Sequence, residues 1–535
     1  MEISKPDITV NKLRASLPAG LDSQKILVVD QLITSGATAI PGALRIDVSK
    51  DEIGSIFNNG SQIANTLNGI FDVFERSGSS KVPRVDVIPL SDSGSAVKAT
   101  GTIAIAEVGG STNAATVAGD VYISVASQFN YTVKLSIAVG AALDTGLAQA
   151  VVDALNALTD LPVVATRSTS TITLTAKNGG TVANSFGIKI KGLTLNGSDH
   201  VLGNVEFTIT GFASGANDAT LPDLSALLDG ERYQTIVHPS EYGIAFSATN
   251  FLDSRFTVDN DILDGVACVC KTDTYANAKT ALDLLNSENL THFFTKTLTE
   301  DMHKGPALLE QTTVVAAKFA ALRALRLTEE ANIVSITPAA VRGFSDGQGG
   351  KHISTLPYFN TPMYGVSPMD AGKGFTKAEV LQIEAKGGSV IGNNTAGNTI
   401  IMSTINTTFK TDPSGNVNTT WKRLNTVDTM SVAAEYFFNN MKVDFAQTRL
   451  TEGDMVQGYS MINAQGFKDQ LKKYYLDLAD VAIVPKSAEA TAFFVEHLTI
   501  AIDMVLGKVT ANSDFPIVVQ LRTILANLKT TFTIN

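Results

Sequence analysis

The period of the apolar positions changes several times along this chain, and each change marks a boundary. From Lys25 short apolar runs alternate with helical stripes. Ile26–Val29 reads as a strand. Ser49 with Glu52 three residues on reads as a capping box. Ile53, Ile56, Phe57, Ile63, Leu67, Ile70, Phe71 and Phe74 then follow at helical spacing, and Val85–Leu90 is the next strand. Between 99 and 220 the period falls to two. Alternating runs at Gly101–Val108, Asp120–Val125, Thr132–Ala138, Thr171–Ala176 and Val205–Gly211, separated by glycine-containing turns, predict a β-sandwich or barrel. One helix, Thr145–Leu158, interrupts them. After Leu221 the helix–strand alternation returns: a helix over Leu224–Leu228, strand Tyr233–Pro239, helix Tyr242–Phe256, strand Gly265–Cys270, helix Tyr275–Ser287, strand Thr291–Leu298, and a long helix over Pro306–Leu327. Alternation of this kind implies a mainly parallel sheet covered on both faces.

Gly/Pro-rich residues 346–372 read as a connection. Beyond them, Thr376 and Glu379 form a second capping box. Ile400 to Phe409 alternates as a half-buried strand, Asp412-Pro413-Ser414-Gly415 is a turn, and Asn418–Trp421 closes the expected hairpin. Trp421 is expected to pack beneath it. Asn425 then opens an amphipathic helix carrying Val427, Met430, Ala434, Phe437, Phe438 and Met441. A further helix spans Ala464–Ala479, and an apolar segment lies near Val495–Leu506. Thr531 to Ile534 alternates as a terminal strand.

The expected fold class is therefore multi-domain: an α/β core with a mostly parallel sheet, an inserted all-β domain (sandwich or barrel), and an α+β C-terminal domain. The boundaries read as an N-terminal arm over 1–24, an α/β domain from 25–98 and 221–345, the insertion over 99–220, a linker over 346–372, and the C-terminal domain over 373–535 with its terminal strand at 529–535. Ile8, Val10, Leu13 and Leu17 in the arm, and Phe532 and Ile534 at the other end, are the candidate subunit-interface residues. Each set has the pattern of a strand that can add to a neighbour's sheet.

Composition narrows the function. The 535-residue chain is 44% hydrophobic and 17% charged, with a formal net charge of -11. No basic run exceeds Lys472-Lys473, which argues against nucleic-acid binding. Cys268 and Cys270 are the only cysteines and read as small apolar side chains in a buried strand. The first residues lack the apolar core of a signal peptide, and no apolar run approaches the roughly 20 residues that span a bilayer. Gly343-Phe344-Ser345-Asp346-Gly347 fits a nucleophile elbow in letters only, because a Gly-Gln-Gly-Gly run follows where a helix must start. Gly349-Gly350-Lys351 lacks both the leading glycine and the hydroxyl of a phosphate loop. His200, His238, His292, His303, His352 and His497 show no metal-binding spacing. No catalytic site, cofactor or metal is expected.

The stretch Asn416–Tyr436, a glycine turn, a Trp, then Leu-Asn opening a helix, resembles the C-terminal core of contractile-phage tail sheath proteins. Gly54–Gln62, with its Phe-x-x-Gly-Ser turn, resembles a helix start in the same family. Ile172–Gly192 resembles the insertion of its Mu-type members. In domain order the resemblance runs from Lys25 to Asn535. It implies a structural subunit, not an enzyme, that forms hexameric rings stacked helically around a tail tube. The partners it implies are further copies of this chain, the tail tube protein, and baseplate and tail terminator proteins, without nucleic acid or membrane insertion. The implied location is the virion tail, and the host cytoplasm during assembly. The alternative is a surface or adhesive protein that binds a host receptor through the Thr/Ser-rich insertion.

Overall fold

The structure is a computed structural model, and it describes residues 24–77, 83–110, 112–126, 132–192, 201–228, 230–242, 251–252, 255, 263–327, 358–394, 397–401, 403, 405–456, 460–480 and 483–517. The chain divides into two units, one of residues 22–354 with 358–428, the other of 429–535 with 1–21 and 355–357.

In the larger unit, strand β1 (Lys25–Gln31) leads to helices α1 (Ile53–Phe57) and α2 (Gln62–Ser77), then β2 (Arg84–Leu90). Next come β3 (Thr100–Glu107), β4 (Gly119–Val125), β5 (Thr132–Ile137), α3 (Gln149–Asn156), β6 (Val163–Ser168), β7 (Thr171–Ala176), β8 (Ile188–Lys191), β9 (Val201–Leu202) and β10 (Val205–Ala213). The chain returns through α4 (Leu224–Leu228), β11 (Thr235–Val237), β12 (Val266–Asp273), α5 (Tyr275–Asp283), β13 (Leu290–Glu300), β14 (His303–Pro306) and α6 (Thr312–Arg326). It continues with α7 (Lys377–Ala385), β15 (Ser389–Asn393) and β16 (Thr399–Ile401), and α8 (Leu424–Asp444) begins at its end.

The main sheet is mixed. β2, β1, β11, β12, β13 and β15 run parallel to one another in pairs. Past β13 the order β14-β8-β4-β5 is antiparallel. The strands of 99–220 therefore divide between two sheets. β6-β7-β3-β10-β9 form their own sheet, whereas β4, β5 and β8 extend the main one through β14. One core takes Ile103, Ile172 and Phe207 from the first and Val121, Ile123 and Leu135 from the second.

Local chemistry explains several boundaries. The single helix expected over 53–74 is two helices. Asn58 between them has φ 66° and its side-chain amide donates to the Ile33 carbonyl at 2.7 Å. Gly60 has φ +77°, and a Cβ there would stand 2.6 Å from the Leu161 carbonyl oxygen and 2.9 Å from that of Thr159. Pro306 ends a strand rather than opening a helix, and α6 starts six residues later with every residue buried. The Thr376 box is formed: Glu379 N–H donates to Thr376 Oγ1 at 3.3 Å, and Thr376 N–H to Glu379 Oε2 at 2.7 Å. Among the described residues the expected hairpin at 400–421 is mostly irregular, with strand only at Thr399–Ile401 and bridges Thr411↔Val417 and Asn406↔Arg423. Its polar residues turn inward instead: Asn406 Nδ2 donates to the Gly388 carbonyl at 2.9 Å, and Thr407 Oγ1 to the Trp421 carbonyl at 2.6 Å. Trp421 is half-buried.

A fully buried ion pair ties the start of α8 to α6. Arg323 Nη2 donates to Asp428 Oδ1 at 2.6 Å, and Nη1 donates to the Gln234 carbonyl and Thr235 Oγ1, both at 2.6 Å. Tyr358 OH completes the set, donating to Asp428 Oδ2 at 2.9 Å.

Most sheet edges of this unit are closed. Arg45 exchanges both backbone hydrogen bonds with Val87 on β2, each 2.8 Å. Asn360, Thr361 and Met363 line β16 in the same way. The β6 edge is capped at its Ala165 by a side chain: the Asn156 amide donates to the Ala165 carbonyl and accepts from the Ala165 N–H, both at 2.9 Å.

The smaller unit holds most of α8, strand β17 (Arg449–Leu450) pairing with β18 (Met461–Ile462), α9 (Ala464–Asp480), α10 (Ala488–His497), and a hairpin of β19 (Thr499–Asp503) and β20 (Lys508–Asn512). The expected helix at 242–256 lies mostly outside the described residues, and the 346–357 part of the connection expected over 346–372 lies wholly outside them; the described part of that connection packs Tyr358, Met363, Val366 and Met369 into the core.

Candidate assembly surface

The interface residues expected in the chain ends, Ile8, Val10, Leu13, Leu17, Phe532 and Ile534, lie outside the described residues. So do Ser345, Lys351, His200 and His352. What the structure does describe is the surface of the smaller unit, where the last described residues lie.

Aromatic packing builds its core. Phe437 of α8 meets Tyr474 of α9 edge to face at 5.7 Å and Phe515 at 5.6 Å, and Tyr475 stacks on Phe494 of α10 at 4.7 Å. Such pairs fix ring geometry as well as removing apolar area from water. Asp444 locks α8 to α9 by accepting from Tyr474 OH at 2.6 Å and Gln470 Nε2 at 2.7 Å.

On this base stands the β19–β20 hairpin. Its register runs from Thr499↔Asn512 to Asp503↔Lys508. Asp503 shapes the turn, accepting from the N–H groups of Val505 and Leu506 at 2.9 Å. The hairpin is a sheet of two strands only, and among the described residues nothing pairs with the outer edge of either. A two-stranded ribbon alone is marginal in water, and unpaired strand edges are templates for added strands. Met504, Val505 and Leu506 at its tip are 45%, 94% and 74% exposed. Beside its base lies a groove of about 230 Å³, walled by Phe437, Met441, Leu471, Phe494, Leu498 and Ala511. The apolar segment near 495–506 signalled this region, but its resolution into helix, strand and bare tip is a property of the fold.

The histidines, carboxylates and thiols that burial shifts furthest lie in the larger unit. Burial pushes the His238 imidazole down to about 4 and His292 to about 3, and holds both neutral. His303 falls to about 4 for the same reason, and its Nε2 lies 3.0 Å from the Pro306 carbonyl oxygen. Asp30 is pushed up to about 7 by burial, although it accepts from Gln31 N–H and Thr66 Oγ1, both at 2.8 Å. Glu241 and Glu310 are raised to about 7 by the same cause. Burial lifts the Cys268 thiol to about 12 and Cys270 higher still, so neither forms the thiolate that reacts. No group of three His, Cys, Asp or Glu that could hold a metal occurs among the described residues. No helix among them is long and apolar enough to cross a membrane.

No protein-family model matches the chain, and no curated protein matches it. Among solved structures, the chain is similar to the sheath tail protein of Desulfitobacterium hafniense, with 12% identity, a TM-score of 0.41, and coverage of 92% of this chain and 93% of that one. It is similar to the helical sheath of the anti-feeding prophage in its contracted state, with 10% identity, a TM-score of 0.41, and 99% of each chain covered. The contracted sheath complex of the PVC extracellular contractile injection system is similar over 59% of this chain and 77% of that one, with 12% identity and a TM-score of 0.31. All three of these solved structures are sheath proteins or sheath complexes.

Proposed function

We propose that this chain is the structural subunit of a contractile tail sheath. It polymerises as stacked hexameric rings around a tail tube and contracts to drive the tube through a host envelope for genome ejection. Baseplate and terminator proteins bound the polymer, which is assembled in the host cytoplasm and carried in the virion tail. The sequence resemblance at Gly54–Gln62, Ile172–Gly192 and Asn416–Tyr436 supports the family, including its Mu-type members. It also supports the division into arm, α/β domain, insertion over 99–220, linker and C-terminal domain.

The observation that carries the reading is the β19–β20 hairpin, whose outer edges pair with nothing among the described residues, whereas β2, β6 and β16 each carry a partner on their outer edge. Strands from the ends of adjoining copies, around Ile8 and Val10 and around Phe532 and Ile534, complete it by main-chain hydrogen bonds. Such bonds persist while globular bodies rotate, so the mesh stays linked through contraction. A head-to-tail contact that does not close gives the helix. Burying about 500 Å² more apolar surface per subunit in the contracted state would supply at most about 12 kcal/mol, at ~25 cal/mol per Å².

The test is truncation. Chains lacking residues 1–20 or 529–535 are expected to be folded monomers that form no tubes at concentrations where the full chain does. Normal tubes from both truncations in negative-stain micrographs would refute the strand exchange.

A further inference from the structure

The hairpin tip and the apolar groove are unexplained by strand exchange, which uses the hairpin's edges. We infer that the tip of one copy, Val505 and Leu506, seats in the groove of the next copy in the polymer. The inference rests on the sheath reading and names a contact within it.

Three observations carry it. Met504, Val505 and Leu506 are consecutive apolar residues held in water by a turn whose N–H groups are already satisfied by Asp503. Nothing in the turn's own hydrogen bonding requires apolar side chains there. Second, ten of the eleven residues around the groove are apolar, Ser513 being the exception, and its volume of about 230 Å³ takes two aliphatic side chains. Third, geometry forbids the tip from reaching the groove of its own copy. Leu498 and Ala511, which wall the groove, flank the first pair of the hairpin, Thr499↔Asn512. The tip follows the last pair, Asp503↔Lys508. A strand of five residues at ~3.4 Å each places the tip about 17 Å from the base. Tip and groove are therefore two different patches of one unit, both apolar and mutually out of reach. A contact between unlike patches propagates from copy to copy instead of closing into a dimer. That is the contact an open helical polymer needs, and a second copy is the occupant that presents this tip.

Cross-linking tests the contact. Cys268 and Cys270 are buried with thiols raised by burial, so introduced cysteines are the reactive ones. Leu506→Cys is placed in one preparation and Ala434→Cys, in the groove wall, in another. The two are mixed, assembled and mildly oxidised. The expected result is an interchain disulfide on a non-reducing gel from the mixture, absent from either preparation alone. Val505→Asp, at a position 94% exposed, is expected to leave the monomer's Tm unchanged and to raise the concentration needed for assembly at least tenfold. Tubes without the mixed disulfide overturn the tip contact and leave the sheath reading standing. A disulfide without tubes supports the contact and overturns the sheath reading; neither tubes nor disulfide overturns both. If the Ala434→Cys thiol is already shielded from maleimide in the monomer, the chain's own residues 518–535 cover the groove, and the contact is overturned.

Discussion

Replacing Asp428 by Asn leaves the Arg323 guanidinium buried without its counter-charge. Arg323 and Asp428 are 2% and 0% exposed in their side chains, and the guanidinium makes two of its hydrogen bonds to the one carboxylate oxygen. The other two, to Gln234 and Thr235, are neutral and cannot balance it. Removing one partner of a buried pair costs about 3–5 kcal/mol, because the remaining charge stays desolvated. The larger unit, which contains both residues, has a large unfolding entropy at about 2.1 cal/mol/K per residue, so the loss corresponds to a fall of roughly 4–6 °C in its Tm. Differential scanning calorimetry of the monomeric chain measures it. The double variant Arg323→Met with Asp428→Leu is expected to recover most of the loss, since apolar replacement of a whole buried pair is often neutral. A fall below about 1 °C for Asp428→Asn, or a double variant as unstable as the single one, would show that the pair is not the link between α6 and α8 described above.

Two further outcomes follow from buried groups and from a glycine. His292 has a folded pKa of about 3, below its unfolded value, so the stability it permits is present above pH 6.5 and is lost as pH falls toward the folded value. His292→Leu is therefore expected to gain about 2–3 kcal/mol relative to the parent chain between pH 6.5 and 4.5, read from urea midpoints at each pH, at about 1.36 kcal/mol per unit; a pH-independent difference refutes it. Gly60→Ala is expected to cost roughly 1–3 kcal/mol from the backbone alone, plus the clash with the 159 and 161 carbonyl oxygens. Gly415→Ala, at φ +83° in open space, carries the strain without the clash; equal losses of Tm from the two would remove the clash from the account.

Much of the larger unit was legible because its signals are local. The Ser49 and Thr376 boxes, the period-3.6 stripe beginning at Ile53, and the apolar runs at Ile26 and Val266 each need only a few neighbouring residues to act. The allocation of strands was not legible. β4, β5 and β8 read like their neighbours in sequence, and only the pairing of His303 and Lys304 with Lys189 and Ile188 carries the main sheet into them. Pro306 misleads for a related reason: proline suits both a first helical turn and the last residue of a strand, and tertiary pairing with Thr297 decides. The alternation at 400–409 predicted a half-buried strand, which would leave part of Asn406, Thr407 and Thr408 facing solvent. They are buried, satisfied by carbonyls of Gly388, Trp421 and Ser287. Of the candidate surface, the sequence showed an apolar stretch but not its exposure. That depends on where the hairpin stops.

The amide of Asn156 has a consequence for any crowded array of this chain. Copies packed side by side hold exposed strands near one another at very high local density, and fibrillar mispairing competes with ordered growth. By taking both polar groups of Ala165, Asn156 blunts one such border with a single residue. In the proposed polymer that flank would be a poorer template for an added strand, and fidelity would depend as much on borders that refuse a neighbour as on those that accept one.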